Sequence, residues 1–465
     1  MASTTSILVT LIVYKIVLIL IGIWANKRTS NASEYILGGR KLGPWVAALS
    51  ASASSSSAWT LLGVSGAAYL WGLPAIWLFP ATLSGFLINW LYIAPKLNVH
   101  SKKIGALTLT DVLATSDDGK IIKEIRWFAS AIILFCFVFY IASQFDAAGQ
   151  SFQSTFGMNK NSSIILGALI ILIYTLLGGF WAVSVSDTLQ GIMMALSAII
   201  LPIAAVTQVG LGNIIASFSD QSIFSSPQGF GGIVGIGFIL GTMGIGIGYP
   251  GQPHVVNRFM AIDSEDNVNR GKIIAIAWAL IIYPGMIFLG WAGRLLTDIS
   301  SHEQIMIILS NQLLRPILSG IVLAAVLSAV MSTADSQLLV ASTSISHDLK
   351  SEKAELSLKQ TRLSVILICI TAVTLSIFVD KSIYSRVLFA FSTMGASFGP
   401  LLIGRMQGGV QKKYALSAMA IGFFMTLFFY YLDYKPEGNP FERIIPLILA
   451  YILVQIGRKK DEYRY

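Results

Sequence analysis

Apolar stretches of about 20 residues recur along almost the whole chain, each long enough to cross a hydrocarbon core about 30 Å thick as a helix. They fall near 4–26, 44–66, 70–95, 126–148, 162–180, 185–209, 229–250, 273–293, 316–347, 362–380, 386–404, 414–433 and 442–458. The pattern predicts an all-α polytopic membrane protein with about 13 transmembrane helices. The longest polar stretches, 96–125 and 348–361, are too short for an appended domain, so any function belongs to the helical bundle.

Most spans are plain Leu/Ile/Val/Ala/Phe segments, but two contain residues that a helix in lipid should avoid. The second carries Ser50 to Ser57, a run of small residues whose hydroxyls compete for backbone hydrogen bonds. The seventh carries Gly241, Gly244, Gly246 and Gly248, then Tyr249-Pro250-Gly251-Gln252-Pro253, where Pro removes donors and Gly loosens the backbone. Unwound backbone at membrane depth survives only where it is buried in protein or lines a cavity. Because the two broken spans are five apart, spans 2–6 and 7–11 read as two five-helix repeats of opposite topology, each beginning with a broken helix. That is the sequence pointer to a transporter of the inverted-repeat kind. Close packing of small residues between helices is the plainer alternative for either run.

Composition agrees with a membrane setting: 55% of residues are hydrophobic and 12% charged, with mean hydropathy +0.72. The net charge of +9 raises the question of nucleic acid, which the placement of the cations answers. Of 32 Lys and Arg, 24 fall in alternate loops, Arg258 among them, and seven in the opposite ones, including Arg386 and Arg443. The positive-inside rule then puts the N-terminus outside and the C-terminus inside. Lys15 stands alone within the first span, which reads as a retained helix, and is expected to snorkel or face a neighbouring helix. Cys136 and Cys369 lie in apolar spans and make no motif, and His100, His254, His302 and His347 are scattered in or near loops without ligand spacing. A metalloenzyme is not indicated, and no nucleophile–base constellation points to any other enzyme. Neither selectivity-filter repeats nor charge rings point to a channel.

A carboxylate inside a span costs about 2.5–3.5 kcal/mol on insertion scales, so each one is a functional candidate. Asp187 lies at the start of span 6, Asp335 within span 9, and Asp146 towards the outer end of span 4. On a helix Ala329, Ser332 and Ser336 share a face, with Thr333 and Asp335 flanking it, and this strip of oxygen suits a hard cation such as sodium. Back-bonding of hydroxyls to the preceding turn is the alternative for any isolated Ser/Thr pair. A proton is the alternative coupling ion, because burial favours the neutral carboxyl.

The chain resembles the sodium:solute symporter family, and within it the sodium/proline symporter branch. The matching motifs are Leu37-Gly38-Gly39-Arg40-Lys41-Leu42-Gly43-Pro44-Trp45, the stretch Gly179 to Asp187, Gly248 to His254 with Arg258-Phe259-Met260-Ala261, and Val330-Met331-Ser332-Thr333. The resemblance implies a LeuT-like core of two inverted five-helix repeats and sodium-coupled import by alternating access. It divides the chain into an extra helix and loop (1–43), the two repeats (44–210 and 211–405), and two C-terminal helices with a short tail (406–465). It further implies a sodium site from the backbone oxygens of Ala53, Ser56 and Ala329 with the hydroxyls of Ser332 and Thr333. Asp187, Asp335 and Ser336 fall where some members hold a second sodium. For the solute it points to Ser55, Ser57, Tyr140, Ile245, Tyr249 and Pro253.

Two departures stand out. The proline branch typically has Asp-Met-Ser-Gly where this chain has Ser55-Ser56-Ser57-Ala58, so a carboxylate beside the sodium site is missing, and Asp335 is expected to offset it. The branch also carries Trp where this chain has Ile245, which points away from proline itself towards a differently shaped amino acid or another small carboxylate. The expected function is therefore sodium-coupled uptake of a small carboxylate-bearing solute, most simply proline or a related amino acid, with the lipid bilayer as surroundings and no nucleic acid or obligate protein partner. A proton-coupled transporter of the same fold is one alternative and a transporter-like solute sensor another.

Overall fold

The computed structural model describes residues 4–26, 32–116, 118–177, 179–349, 358–379, 382–433 and 438–458. Lys27, Arg28, Lys350, Lys353, Lys381, Lys435, Lys459, Lys460 and Arg464, counted above as loop cations, lie outside them, as does Gly178. Among the described residues the chain is all helical, with isolated bridges but no strand. Its main helices are α1 (Thr4–Asn26), α2 (Pro44–Ala58), α3 (Val64–Trp71), α4 (Leu78–Leu87), α5 (Lys123–Phe156), α6 (Lys160–Leu177), α7 (Phe180–Val209) and α8 (Gly232–Ile247). There follow α9 (Pro253–Ala261), α10 (Glu265–Leu296), α11 (Pro316–Thr343), α12 (Leu358–Phe378), α13 (Ile383–Met406), α14 (Lys412–Tyr431) and α15 (Pro440–Ile456). Nine helical stretches among the described residues are long and apolar enough to cross a membrane.

Local sequence sets the helix ends. Pro44 and Pro316 occupy first-turn positions, where a missing N–H costs nothing, and α5 stops at Gly157 in the left-handed conformation with φ 67°. Burial then sorts the helices. The apolar windows of α11 and α13 are 83% and 94% buried, against 28% for α1 and 33% for α7 and α14, so α11 and α13 form the centre. Around them, α7 turns its polar stripe inward, with Ser184, Asp187, Gln190, Gly191 and Ser197 buried, while Ile192, Leu196, Ile199 and Ile203 are exposed. An apolar outside and a polar inside is the inverse of a soluble helix and fits a lipid exterior. Lys15 of α1 faces inward and donates to the sulfur of Met331 on α11.

Both predicted interruptions are present, each narrower than the residues that signalled it. In the second span Ser50 to Ser56 remain helical, and the chain departs at Ser57 alone (φ 27°, ψ −175°), a left-handed φ that a non-glycine side chain adopts only under constraint. Outside groups supply the constraint. Gln144 Oε1 accepts from Ala58 N at 3.0 Å, and Tyr140 donates to the Ser57 hydroxyl at 3.3 Å. The seventh span breaks between α8 and α9 through a tight turn at Tyr249–Gly251 and an extended Gln252. Side-chain amides cover carbonyls at the break: Gln252 Nε2 donates to Gly248 O (3.1 Å) and Asn89 Nδ2 to Tyr249 O (3.3 Å), while Gln252 Nε2 also reaches Phe391 O of α13 (2.9 Å).

Gly241, Gly244 and Gly246 belong to a regular helix, contrary to the reading of the whole glycine run as loosened backbone. They serve close packing: a Cβ at Gly241 would stand 2.2 Å from Gly438 O, and one at Gly246 would stand 2.1 Å from Ala81 O. The charge count also needs correction. Arg126, Arg258, Arg386, Arg405 and Arg443 are all buried in the bundle, because each has carboxylate or carbonyl partners there.

Candidate functional site

The intact half of the first broken span docks on the central helix through oxygen contacts. Thr333 Oγ1 of α11 donates to the carbonyl of Ser54 at 2.9 Å, and Ser54 Oγ donates to the carbonyl of Ser332 at 3.0 Å. Ser332 turns its hydroxyl to the carbonyl of Ala329 at 3.3 Å. The structure therefore brings Ser332, Thr333 and Ala329 against the stretch that contains Ala53 and Ser56, with Ser54, which the sequence reading passed over, as the bridging residue. All five predicted ligand residues of the first sodium site are buried.

One helical turn further along α11 the polar strip meets a cation of the protein itself. Arg258, carried by the fully buried α9, aims its guanidinium at Asp187: Nη2 lies 3.1 Å from Asp187 Oδ2 and also donates to Ser336 Oγ. Nε donates to Ser50 Oγ at 3.0 Å, Nη1 donates to His254 O, and the Phe180 ring lies 5.2 Å away. Asp187 Oδ2 accepts further from Ser50 Oγ (2.6 Å) and Ser54 Oγ (3.2 Å). Ser336 Oγ in turn donates to Ser332 O at 2.6 Å. Asp335 is buried beside this group, with Oδ1 3.4 Å from the Ser336 hydroxyl and Oδ2 without a hydrogen-bond partner. Three of the residues suggested for a second ion are thus gathered in one place, together with an arginine that charge counting had assigned to a loop.

The residues suggested for the solute divide. Tyr140 and Ser57 meet at the first break. Tyr249, at the second, joins a chain of hydroxyls in which its OH lies 3.1 Å from Tyr283 OH, and Tyr283 OH lies 3.2 Å from Ser56 Oγ. The rings of Phe86 and Phe391 pack on Tyr249 with centroids 5.6 and 5.1 Å away. Ile245 is buried one turn before Tyr249. Ser55 bonds back to Ser52 O at 3.0 Å, and Pro253 lines a separate small cavity with Ile133, Phe180, Asn257 and Leu339. Sequence reasoning missed Tyr283 and Gln144, which sit in otherwise ordinary spans and have no local motif to mark them.

Away from the breaks, His347 is less isolated than its sequence spacing suggests: ligand atoms of Asp111, His347 and Asp348 lie within 4.8 Å of one another. Arg126 already answers that charge, with Nη2 3.2 Å from Asp111 and 4.0 Å from Asp348. Asp111 also caps the helix Leu109–Ala114 in a reciprocal pair with Thr108. Burial holds the Asp111 carboxyl above the usual range, and the nearby Asp348 adds to the shift. Both cysteines are buried and free.

Comparison with known proteins agrees with this architecture. The sodium:solute symporter family profile matches residues 35–422. The chain is 35% identical to the sodium/proline symporter of Escherichia coli (strain K12), an alignment covering 91% of this chain and 87% of the relative. It is 36% identical to a high-affinity proline transporter of Bacillus subtilis (strain 168), covering 87% and 88%. In fold it is similar to a Na+-coupled sialic acid symporter solved substrate-bound and outward-open, a structure that revealed a novel Na+ site. That match has a TM-score of 0.77 at 19% identity, over 97% of this chain and 96% of the other. A nucleobase-cation-symport-1 family transporter in a closed conformation matches with a TM-score of 0.57 at 14% identity, over 92% and 95%. The chain is a multi-pass membrane protein and belongs to the sodium:solute symporter family.

Proposed function

We propose that this chain is a sodium-coupled symporter that imports a small carboxylate-bearing solute across the cell membrane by alternating access, proline or a related amino acid being the first candidate. The observation that carries the reading is the contact of Thr333 and Ser332 with Ser54 just ahead of the backbone break at Ser57. A break there loosens carbonyls of α2 beside hydroxyls of α11, the donor set a hard cation needs. In this reading one sodium ion is held by the backbone oxygens of Ala53, Ser56 and Ala329 and the hydroxyls of Ser332 and Thr333. Ion binding then draws α2 onto α11 and orders the break for the solute. Ser55, Ser57, Tyr140, Ile245, Tyr249 and Pro253 line the solute path, where aromatic walls suit an aliphatic body and freed amides a carboxylate.

The same reading has thirteen spans, with the N-terminus outside and the C-terminus inside. Units 44–210 and 211–405 are the inverted repeats, flanked by 1–43 and 406–465. The relatives named for proline support the solute class, and Ile245 argues for a pocket of altered shape.

The test is uptake of radiolabelled proline into proteoliposomes under an inward sodium gradient, with potassium as control. Sodium-dependent accumulation that related amino acids compete supports the proposal. Sodium-dependent uptake or thermal stabilisation with a different carboxylate keeps the coupling and moves the solute. A second reading, proton coupling, is favoured by one observation, the buried Asp335 with an unpaired Oδ2. Uptake driven by a proton gradient in the absence of sodium would select it.

A further inference from the structure

We propose that Arg258 is the resident cation of the second candidate ion site, so that each protomer binds and couples a single sodium ion. This rests on the sodium reading given above and deepens it. The second set of candidate ligands, Asp187, Asp335 and Ser336, looks in sequence like an open cation site. In the structure a guanidinium already engages Asp187 Oδ2 and Ser336 Oγ, while Asp187 Oδ1 and Asp335 Oδ2 are buried without a hydrogen-bond partner. Asp187 Oδ2 takes Arg258 Nη2 at 3.1 Å together with the hydroxyls of Ser50 (2.6 Å) and Ser54 (3.2 Å), and Asp187 is fully buried. Ser336 Oγ accepts from Arg258 and donates to Ser332 O, so the guanidinium already takes one of its two lone pairs.

Arg258 is held there, not merely nearby. All three guanidinium nitrogens have acceptors, Nε on Ser50, Nη1 on the carbonyl of His254 and Nη2 on Asp187 and Ser336, and the Phe180 ring backs the group at 5.2 Å. A guanidinium stays charged, and its planar fork loses little freedom in such a setting. A sodium ion sharing those oxygens would stand beside a fixed like charge in a low-dielectric interior, where the repulsion is screened little. The first sodium site is set apart by its chemistry, because its ligands are backbone oxygens and the hydroxyls of Ser332 and Thr333, whereas the hydrogen bonds of Arg258 go to Ser50, the carbonyl of His254, Asp187 and Ser336. Removing the guanidinium leaves Asp187, Ser336, Ser50 and Ser54 as a buried oxygen set with an uncompensated charge, which a sodium ion then fills.

The test counts radioactive sodium bound at saturation to purified full-length protein, with no solute needed. Wild type is expected to bind about one ion per protomer, and Arg258→Gln about two, a roughly twofold rise. Because Arg258→Gln alone leaves a buried charge, the charge-matched double variant Arg258→Gln/Asp335→Asn is measured beside it and is also expected to bind about two. Arg258→Gln/Asp187→Asn, which removes both members of the ion pair, returns the count to about one. About two ions in wild type, or an unchanged count in a folded variant that lacks only Arg258 or Arg258 with Asp335, overturns the proposal and leaves sodium-coupled transport standing. No sodium bound by folded wild type removes the sodium reading, and this proposal with it.

Discussion

The hydroxyl of Thr333 lies 2.9 Å from the carbonyl oxygen of Ser54, three residues ahead of the point where α2 leaves helical geometry. This contact ties the central helix to the broken one at the height of the proposed sodium site. A ligand hydroxyl that meets an ion contributes about 1.5–3 kcal/mol, so Thr333→Ala is expected to raise the sodium concentration for half-maximal uptake about tenfold or more. Thr333→Ser keeps the oxygen and should stay near wild type. An alanine variant with an unchanged sodium requirement would take Thr333 out of the ion path.

Gln144 matters for a different reason. Its Oε1 takes the Ala58 N–H at 3.0 Å directly after the Ser57 break, at a depth where water offers no substitute. Gln144→Leu strands that donor at a cost of about 1–3 kcal/mol and should lower the thermal unfolding temperature in detergent. Gln144→Glu retains an acceptor and should recover most of the loss. Equal destabilisation by both changes would mean that packing, not the hydrogen bond, holds the break.

Within α8, glycines that look alike in sequence should respond differently to alanine. A Cβ at Gly246 would lie 2.1 Å from Ala81 O and 2.2 Å from Ser84 Oγ, and backbone oxygen cannot swing aside. At Gly237 the nearest atom is Pro440 Cγ at 3.9 Å, an ordinary contact. Gly246→Ala is expected to cost about 1–3 kcal/mol or to abolish folded protein, and Gly237→Ala to be neutral or mildly stabilising. Size-exclusion profiles and unfolding temperatures of the two variants test the contrast.

Arg386 at the start of α13 pairs with Asp146 on α5, both side chains almost fully buried. Removing one partner leaves a charge in a low-dielectric interior, so Arg386→Gln or Asp146→Asn alone should cost about 3–5 kcal/mol. The double variant should recover a large part of that cost. Additive losses in unfolding free energy would show that the pair does not act as a unit.

How much of this was legible in the sequence depends on the range of the interaction that decides each feature. Spans are written in hydrophobicity alone, and α11 and α13 read directly as apolar stretches. Breaks were legible as regions: the Tyr249-Pro250-Gly251 turn is local chemistry and fell where expected. The serine run was not resolved to a residue, because Ser50 and Ser54 satisfy their hydroxyls on Asp187 of another helix and need no unwinding. What selects Ser57 is Gln144 and Tyr140, more than 80 residues away. Arg258 was misread for a similar reason. Counting charges near span ends assumes that a basic residue seeks water, whereas Asp187, Ser50 and Ser336 give it a partner set that only the folded chain assembles.

Tyr283 provides the last prediction, since it links the two breaks. Its hydroxyl lies 3.2 Å from Ser56 Oγ at the first and 3.1 Å from Tyr249 OH at the second, with all three side chains buried. A hydroxyl shared in this way transmits order from the ion-binding stretch to the solute-binding one, so Tyr283→Phe should weaken both sodium and solute apparent affinity. Loss of one net hydrogen bond of about 1 kcal/mol corresponds to about a fivefold change in each. Tyr249→Phe breaks the same chain from the other side, and the double variant should be little worse than either single one, because the second change removes a bond already weakened. Solute-induced shifts in unfolding temperature, recorded with and without sodium for the two single variants and the double, measure this directly. A double variant whose effects simply add, or a Tyr283→Phe protein whose solute response keeps its full sodium dependence, would mean that the two breaks communicate by another route.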